Sequence, residues 1–260
     1  VGFEGAQLTN TDLSQSDLTD AVFTNSRFQA SVDGADFTAS VVVGANLSKL
    51  TTSGLTAEQL YSTASYQAFD LRNINLSANQ LEGWDFSRQN LTSAVMEQSE
   101  LQNSNLAGAN LTNAVFSGSN LTASDLSNST LRGTAFSGFG GDATLTDANL
   151  ENSVIQNANF RNTFGPGFGL PQIYQTASYQ AGTLAGVDLS ENDLSGADFA
   201  NFDLTNTRYI QASLREVDFT NATVSRVVFN GATNFTSEQL YATSNYQNGN
   251  LRDMQFTDLD

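Results

Sequence analysis

The chain contains no cysteine and no histidine, and only two prolines, two methionines and one tryptophan in 260 residues. Without cysteine there can be neither a disulfide nor a thiolate nucleophile. With histidine missing too, the Ser-His-Asp and Cys-His catalytic sets and the usual zinc ligand sets are excluded. Positive charge is scarce: ten Lys and Arg stand against 27 Asp and Glu, a formal net charge of −17, which disfavours direct binding of nucleic acid. No stretch approaches the run of about 18 apolar residues that spans a membrane, so no membrane insertion is expected. Val1-Gly2-Phe3-Glu4 has neither a basic n-region nor an apolar h-region. With no initiator Met, the expectation is a removed leader or a cut segment.

What the chain does have is a beat of five. From Leu71 to Phe136, fourteen positions five apart are all Leu, Phe or Met. Two residues before each centre stands a small residue, continuously from Ala94 to Thr134, and the residue just before the centre is often Asp or Asn. Ala109-Asn110-Leu111-Thr112-Asn113 is one such unit. A fixed short period means a repeat architecture, in which each unit buries its apolar residues only against its neighbours. Physically, a short extended stretch followed by a corner accounts for the period. The centre and the residue two before it share one side of the strand, here the inside.

These A(D/N)LXX units resemble the pentapeptide-repeat family over most of the chain. The resemblance implies an all-β fold, a right-handed quadrilateral parallel β-helix with four sides and about 20 residues per coil. The sequence supports that number separately. The polar residue before the centre becomes apolar at Val95, Val115 and Ala135, twenty apart. Val154 follows nineteen later, across a one-residue frame slip between Phe136 and Leu145, and Val22 and Val41 are also nineteen apart across a slip (Phe28 to Val32). One face is therefore expected to carry a stacked apolar ladder, with Val22, Val41, Val95, Val115 and Val154 as a candidate interface. On the same register Asp17 is expected under Asp36 and Asp198 under Asp218. Strand spacing of about 4.8 Å over about ten coils gives a column roughly 50 Å long.

The beat breaks three times, in matched fashion, at Thr56–Gln67, Gly169–Gln180 and Thr236–Gln247. Thr56 with Gln59, and Thr236 with Gln239, have capping-box spacing, and Pro171 sits where a first helical turn tolerates it. Each insert is read as one helix of one to two turns closing onto the column. Tyr66, Tyr179 and Tyr246 are its candidate contact residues, set against a purely structural, buttressing role. The chain is thus expected to be one continuous β-helix over 1–260, with inserts at about 55–70, 168–183 and 235–250. These divide it into 1–54, 71–167, 184–234 and 251–260. Trp84 stands in a normally small inward slot, which calls for a locally wider coil or an outward flip.

No catalytic residue, metal site or cofactor is expected. Carboxylate pairs such as Asp193 and Asp198 fall on adjacent sides of a convex column, not across a cleft. The beat already runs at Phe3 and still runs at Phe256, so both ends should expose strand backbone and apolar interior. Phe3, Leu8, Leu251 and Phe256 are candidate end-stacking residues. The expectation is a non-catalytic structural or interaction protein. It would self-associate head to tail into fibres or layers, or pair side by side through the valines. The inserts resemble those of long bacterial cell-surface or secreted family members, which implies an extracellular or surface location. The alternative implied by the family is an acidic mimic of DNA that binds a type II topoisomerase, and that would be cytoplasmic.

Overall fold

The computed structural model describes residues 1–25 and 27–258; Ser26 and the last two residues of the expected segment 251–260, Leu259 and Asp260, lie outside the described residues. Parallel bridges recur every five residues along the chain. In the regular stretch they pair residues twenty apart, as in Asn75 with Val95, Gln80 with Glu100, Asp85 with Asn105 and Asn90 with Asn110. Five into twenty gives a coil of four sides.

The unit around Leu111 explains the beat. The Leu111 N–H donates to the Thr130 carbonyl at 2.8 Å, and Thr130 N–H donates to the Ala109 carbonyl at 3.0 Å, which fixes this side to the coil above. The corner then closes with Ala114 N–H on the Leu111 carbonyl at 2.9 Å. Asn113 takes a φ of 58°, the mark of a type II turn. Positive φ recurs at this third position, and Asn and Gly often fill it because they tolerate it best. Asn110 acts on the same corner from outside, where its Oδ1 accepts the Thr112 N–H at 3.1 Å. The (D/N) before each centre is therefore a turn-fixing acceptor, repeated at Asp12, Asp36, Asp85 and Asp218.

Inside, the centres form one continuous core. Leu71 through Phe136 are fully buried at every fifth position, each contributing about 1.5–3 kcal/mol of transfer free energy for a Leu or Phe. Phenylalanines stack along the axis. Phe116 and Phe136 lie 5.7 Å apart, Phe136 and Phe160 4.9 Å, and Phe229 and Phe256 5.5 Å.

The two frame slips are insertions of four residues, not deletions of one. Ser137–Gly138 (β1) pairs antiparallel with Gly141–Asp142 (β2) in a tight hairpin with Phe139 at its exposed tip. Thr24 pairs with Gln29 in the same way. The corner bond that elsewhere spans three residues here spans seven, from Ala143 N–H to the Phe136 carbonyl and from Ala30 N–H to that of Phe23. Coils containing a hairpin therefore stack at twenty-four. The expected ladder is corrected accordingly. Val22, Val95 and Val115 share one face, through Asn46 and Asn75, but Val41 stacks on Asp17 and Val154 on Thr130, on a neighbouring face. Asp36 sits over Asp12, not Asp17, while Asp198 does pair with Asp218.

Each insert contains two short helices where one was expected: Ala57–Tyr61 (α1) with Ala64–Gln67 (α2), Leu170–Tyr174 (α3) with Ala177–Gln180 (α4), and Ser237–Ala242 (α5) with Ser244–Gln247 (α6). The break has a simple cause. Thr63, Thr176 and Thr243 each take extended backbone and accept the N–H three residues on, so each ends one helix by capping the next. Just before the first insert, Gly54 turns at a φ of 100°, with its Cα facing the Asp33 backbone so closely that a Cβ would lie 2.5 Å from the Asp33 Cα.

Candidate functional site

The inserts carry the chain's most specific side-chain geometry. Gln59 and Gln239 close capping boxes with Thr56 and Thr236. Their amides also reach down to the previous coil, to the carbonyls of Val32 and Ala35 at 2.9 Å and of Leu214 and Val217 at 2.8 Å. Ser65 and Ser178 accept the backbone N–H of Val42 and Ile155 through their hydroxyls, and Asn245 accepts that of Val224 through its amide oxygen. Each insert thus replaces part of one coil and satisfies the backbone beneath it.

Above, the tyrosines do the same for the next coil. The Asp85 N–H donates to Tyr61 Oη at 2.6 Å while Tyr66 Oη donates to the Asp85 carbonyl at 2.8 Å, so two phenols hold both backbone groups of one residue. In the second insert Tyr179 Oη donates to the Asp198 carbonyl at 2.8 Å, with the Tyr174 ring beside it. The paired rings lie 4.5 Å and 4.6 Å apart. Partial burial, and then the charge of the neighbouring aspartate or tyrosine, pushes the Tyr66 and Tyr179 phenols up to about 12. Tyr66 and Tyr179, expected as contact residues, therefore spend their hydroxyls within the molecule. Trp84 lies half-buried, edge-on to Tyr61 at 6.2 Å and against Phe86.

The third insert repeats the ring pair, and among the described residues neither phenol has a hydrogen-bond partner. Tyr241 and Tyr246 keep the 4.5 Å ring spacing but are 50% and 42% exposed. Leu55, Leu60 and Leu71 around the first insert, and Phe168, Ile173 and Leu184 around the second, are buried; at the third, Phe235 is only partly buried, and Leu251 is 37% exposed. Phe235, Leu240 and Phe256 line a shallow hollow of 230 Å³ on this end. At the opposite end Phe3 and Leu8 are only partly buried. There the N–H and C=O of Gly2, Gln7, Asp12 and Asp17 have no backbone partner among the described residues. The end-stacking candidates thus lie at the two ends of the column. Val22, Val95, Val115 and Val154 are half-buried along its sides, and Val41 is exposed.

Two residues that the repeat pattern did not single out join the coils on either side of an insert. Asn79, fully buried in an inward slot, donates to the carbonyls of Leu47 and Leu76 at 2.9 Å and accepts the Thr51 N–H at 2.9 Å. Asn192 does the same for Phe160, Leu189 and the Phe164 N–H. Their common offset of eight from Leu71 and Leu184 is the signal that could have found them.

The carboxylates line the outside as turn acceptors. Asp12, Asp17 and Asp193 are held below the ordinary range by hydrogen bonds from Ser14, Thr19 and Ser195, and Asp70 by its pair with Arg72 at 2.7 Å. Among the described residues no three acidic side chains approach closely enough to share a metal ion, and no helix is long and apolar enough to cross a membrane.

Comparison with known families gives a match to pentapeptide repeats, in eight copies, over residues 3–32, 70–106, 99–138, 182–208 and 193–231, together more than half of the chain. Curated proteins give no match. Among solved structures, HetL of Nostoc sp. strain PCC 7120, a pentapeptide repeat protein involved in heterocyst differentiation regulation, is 18% identical over 100% of this chain and 86% of its own, with a TM-score of 0.32. A pentapeptide repeat protein of the Arabidopsis thaliana thylakoid lumen is 32% identical over 44% of this chain and 66% of its own, with a TM-score of 0.32. QnrB1, a plasmid-mediated fluoroquinolone resistance protein, is 15% identical over 71% of this chain and 94% of its own, with a TM-score of 0.34.

Proposed function

This chain belongs to the pentapeptide-repeat family, and we propose that it works as a non-catalytic scaffold whose columns stack head to tail into fibres or layers. The observation that carries this reading is the unlike make-up of the two ends of the described column. One end offers a strand edge at Gly2, Gln7, Asp12 and Asp17. The other offers the apolar rim of Phe235, Leu240, Leu251 and Phe256. Unlike ends that fit each other make a heterologous contact, which does not close and so grows. The right-handed four-sided column supports this, because each coil presents the same cross-section to the next. The likeness of the inserts to those of long bacterial surface proteins supports placing the scaffold outside the cell or on its surface.

Like charge opposes the stacking. Copies of net charge −17 repel, and salt screens them. Sedimentation velocity tests the reading: the weight-average mass should climb steadily with protein concentration, and climb further at high salt than at low salt. A single monomer species at every concentration overturns it, and a species that stops at two copies favours side-by-side pairing through Val22, Val95 and Val115.

The second reading, an acidic mimic of DNA acting on a type II topoisomerase in the cytoplasm, has one observation in its favour. Aspartates gather on one face, with Asp12 over Asp36, Asp85 and Asp125 either side of Asn105, and Asp198 over Asp218. The charge is too sparse to make it first. About one carboxylate every second coil, or one per roughly 10 Å, compares with one charge per about 1.7 Å of duplex. Loss of topoisomerase supercoiling activity on adding equimolar protein would promote this reading over the first.

A further inference from the structure

The two hairpins leave the wall at the same corner. Each follows the centre on one face, Phe23 after Val22 and Phe136 after Ala135, and the bridges link those faces through Asn46, Asn75, Val95 and Val115. Five coil steps at the spacing of paired strands set the hairpins about 24 Å apart. Each carries a phenylalanine outward: Phe28 is 60% exposed and Phe139 fully so. The second hairpin lies down on Gly118, where a Cβ would run into the Gly140 carbonyl, and the Phe139 ring stands clear of the wall. The strip between the hairpins differs in charge from the chain as a whole. None of its six ladder residues is charged, and the corner beside it adds one cation, Lys49, and one anion, Glu97. On a chain of net charge −17, two copies can lie together along this strip with little repulsion.

A cleft of 490 Å³ opens beside the second hairpin, lined among others by Phe139, Asp142, Asn159, Arg161, Asp188 and Glu191. Three carboxylates against one guanidinium leave it negative, and Asp142 bonds only the neutral Ser137 and Asn162 side chains among the described residues. The first hairpin carries the complement. Arg27 is exposed beside Phe28 and has no carboxylate partner among the described residues. We propose that the cleft beside Phe139 receives the Arg27–Phe28 hairpin of a second copy of this chain, with the two columns antiparallel along the uncharged strip. A two-fold axis across the strip turns each hairpin onto the other kind, so the spacing matches itself and the contact forms twice per pair. In each contact Arg27 meets the carboxylates and the open face of the Phe139 ring, while Phe28 leaves water against the glycine-rich hairpin. Parallel columns would put the two hairpin corners on opposite sides and lose both contacts. The pairing goes beyond head-to-tail stacking and does not depend on it, because every residue in it lies on the side of the column.

The test uses the whole chain. It has no cysteine, so Gln29→Cys and Thr144→Cys place single thiols at two exposed positions, on the first hairpin and next to the cleft. A short bis-maleimide should join a mixture of the two variants and leave either one alone unjoined. End-to-end stacking brings these positions no closer, so the readout is blind to it. Adding Arg27→Glu to the Gln29→Cys copy should raise the protein concentration for half cross-linking on the order of tenfold, the worth of a charge-assisted bond. Adding Glu191→Arg to the Thr144→Cys copy should do the same, and the two together should bring the concentration back down. Phe139→Ser in both copies should raise it on the order of tenfold to a hundredfold, because each pair buries the ring twice. Cross-linking that is absent at every concentration, that the charge changes leave unmoved or fail to restore in combination, or that survives Phe139→Ser unchanged overturns the contact. Cross-linking without filaments keeps the pairing and removes the stacking, and filaments without cross-linking do the reverse.

Discussion

Replacing Asn79 by Ala tests the junction across the first insert most sharply. Asn79 is fully buried and bonds four groups: the carbonyls of Leu47 and Leu76, and the N–H and hydroxyl of Thr51. Those groups do not lose equally in the variant. The Leu76 carbonyl keeps Ser99 Oγ at 3.0 Å and the Leu47 carbonyl keeps a long contact to Leu50 N–H at 3.4 Å. The Thr51 N–H has no other partner among the described residues. An orphaned, partly buried donor costs about 1–2 kcal/mol, and each weakened carbonyl about 0.5–1 more, so the expected loss is about 2–4 kcal/mol. Asn79→Asp separates hydrogen bonding from size. At neutral pH it brings a buried negative charge against two carbonyls and should cost more than Ala; in mild acid the protonated carboxyl can donate again and should recover part of the loss. The single tryptophan, Trp84, lies on this junction, so urea unfolding followed by its fluorescence reads the region directly. An Ala variant within about 0.5 kcal/mol of wild type, below the worth of even one lost bond, would refute the reasoning.

Further outcomes follow from the same geometry. Tyr209 is fully buried among Phe199, Phe219 and Phe229, its hydroxyl without a partner among the described residues and its phenol pushed far up by burial; Tyr209→Phe should raise stability by about 1 kcal/mol in thermal melts. The Tyr66 and Tyr179 phenols titrate at about 12 in the folded chain against an unfolded value of 10.0. The stability they contribute is thus complete below pH 10 and lost as pH rises through 12, and Tyr66→Phe/Tyr179→Phe should flatten that alkaline decline while lowering stability at neutral pH. Gly54→Ala must set a Cβ against the Asp33 backbone at a φ of 100°, and should cost about 2 kcal/mol or more by thermal denaturation.

The regular coils were legible because one residue type per unit decides them. A Leu or Phe at every fifth position leaves a single inward side, and the twenty-residue spacing of Val95, Val115 and Ala135 counts the sides. The hairpins were misread for a definite reason. A gap of nine between Phe136 and Leu145 fits two units less one residue or one unit plus four, and spacing alone cannot separate these. Glycines at 138, 140 and 141 and an exposed Phe139 belong to a turn projecting from the wall, and they favour the second. That one ambiguity moved Val41 and Val154 off the valine face. The inserts were visible as repeats, but the partners of their tyrosines were not. Backbone groups of a coil nineteen to twenty-four residues away carry no sequence mark.

Electron microscopy of concentrated protein measures the head-to-tail claim most directly. Unbranched filaments with an axial repeat of roughly 50 Å, one column length at the spacing of paired strands, are the predicted result. Discrete single columns, or pairs lying side by side without growth, would contradict it.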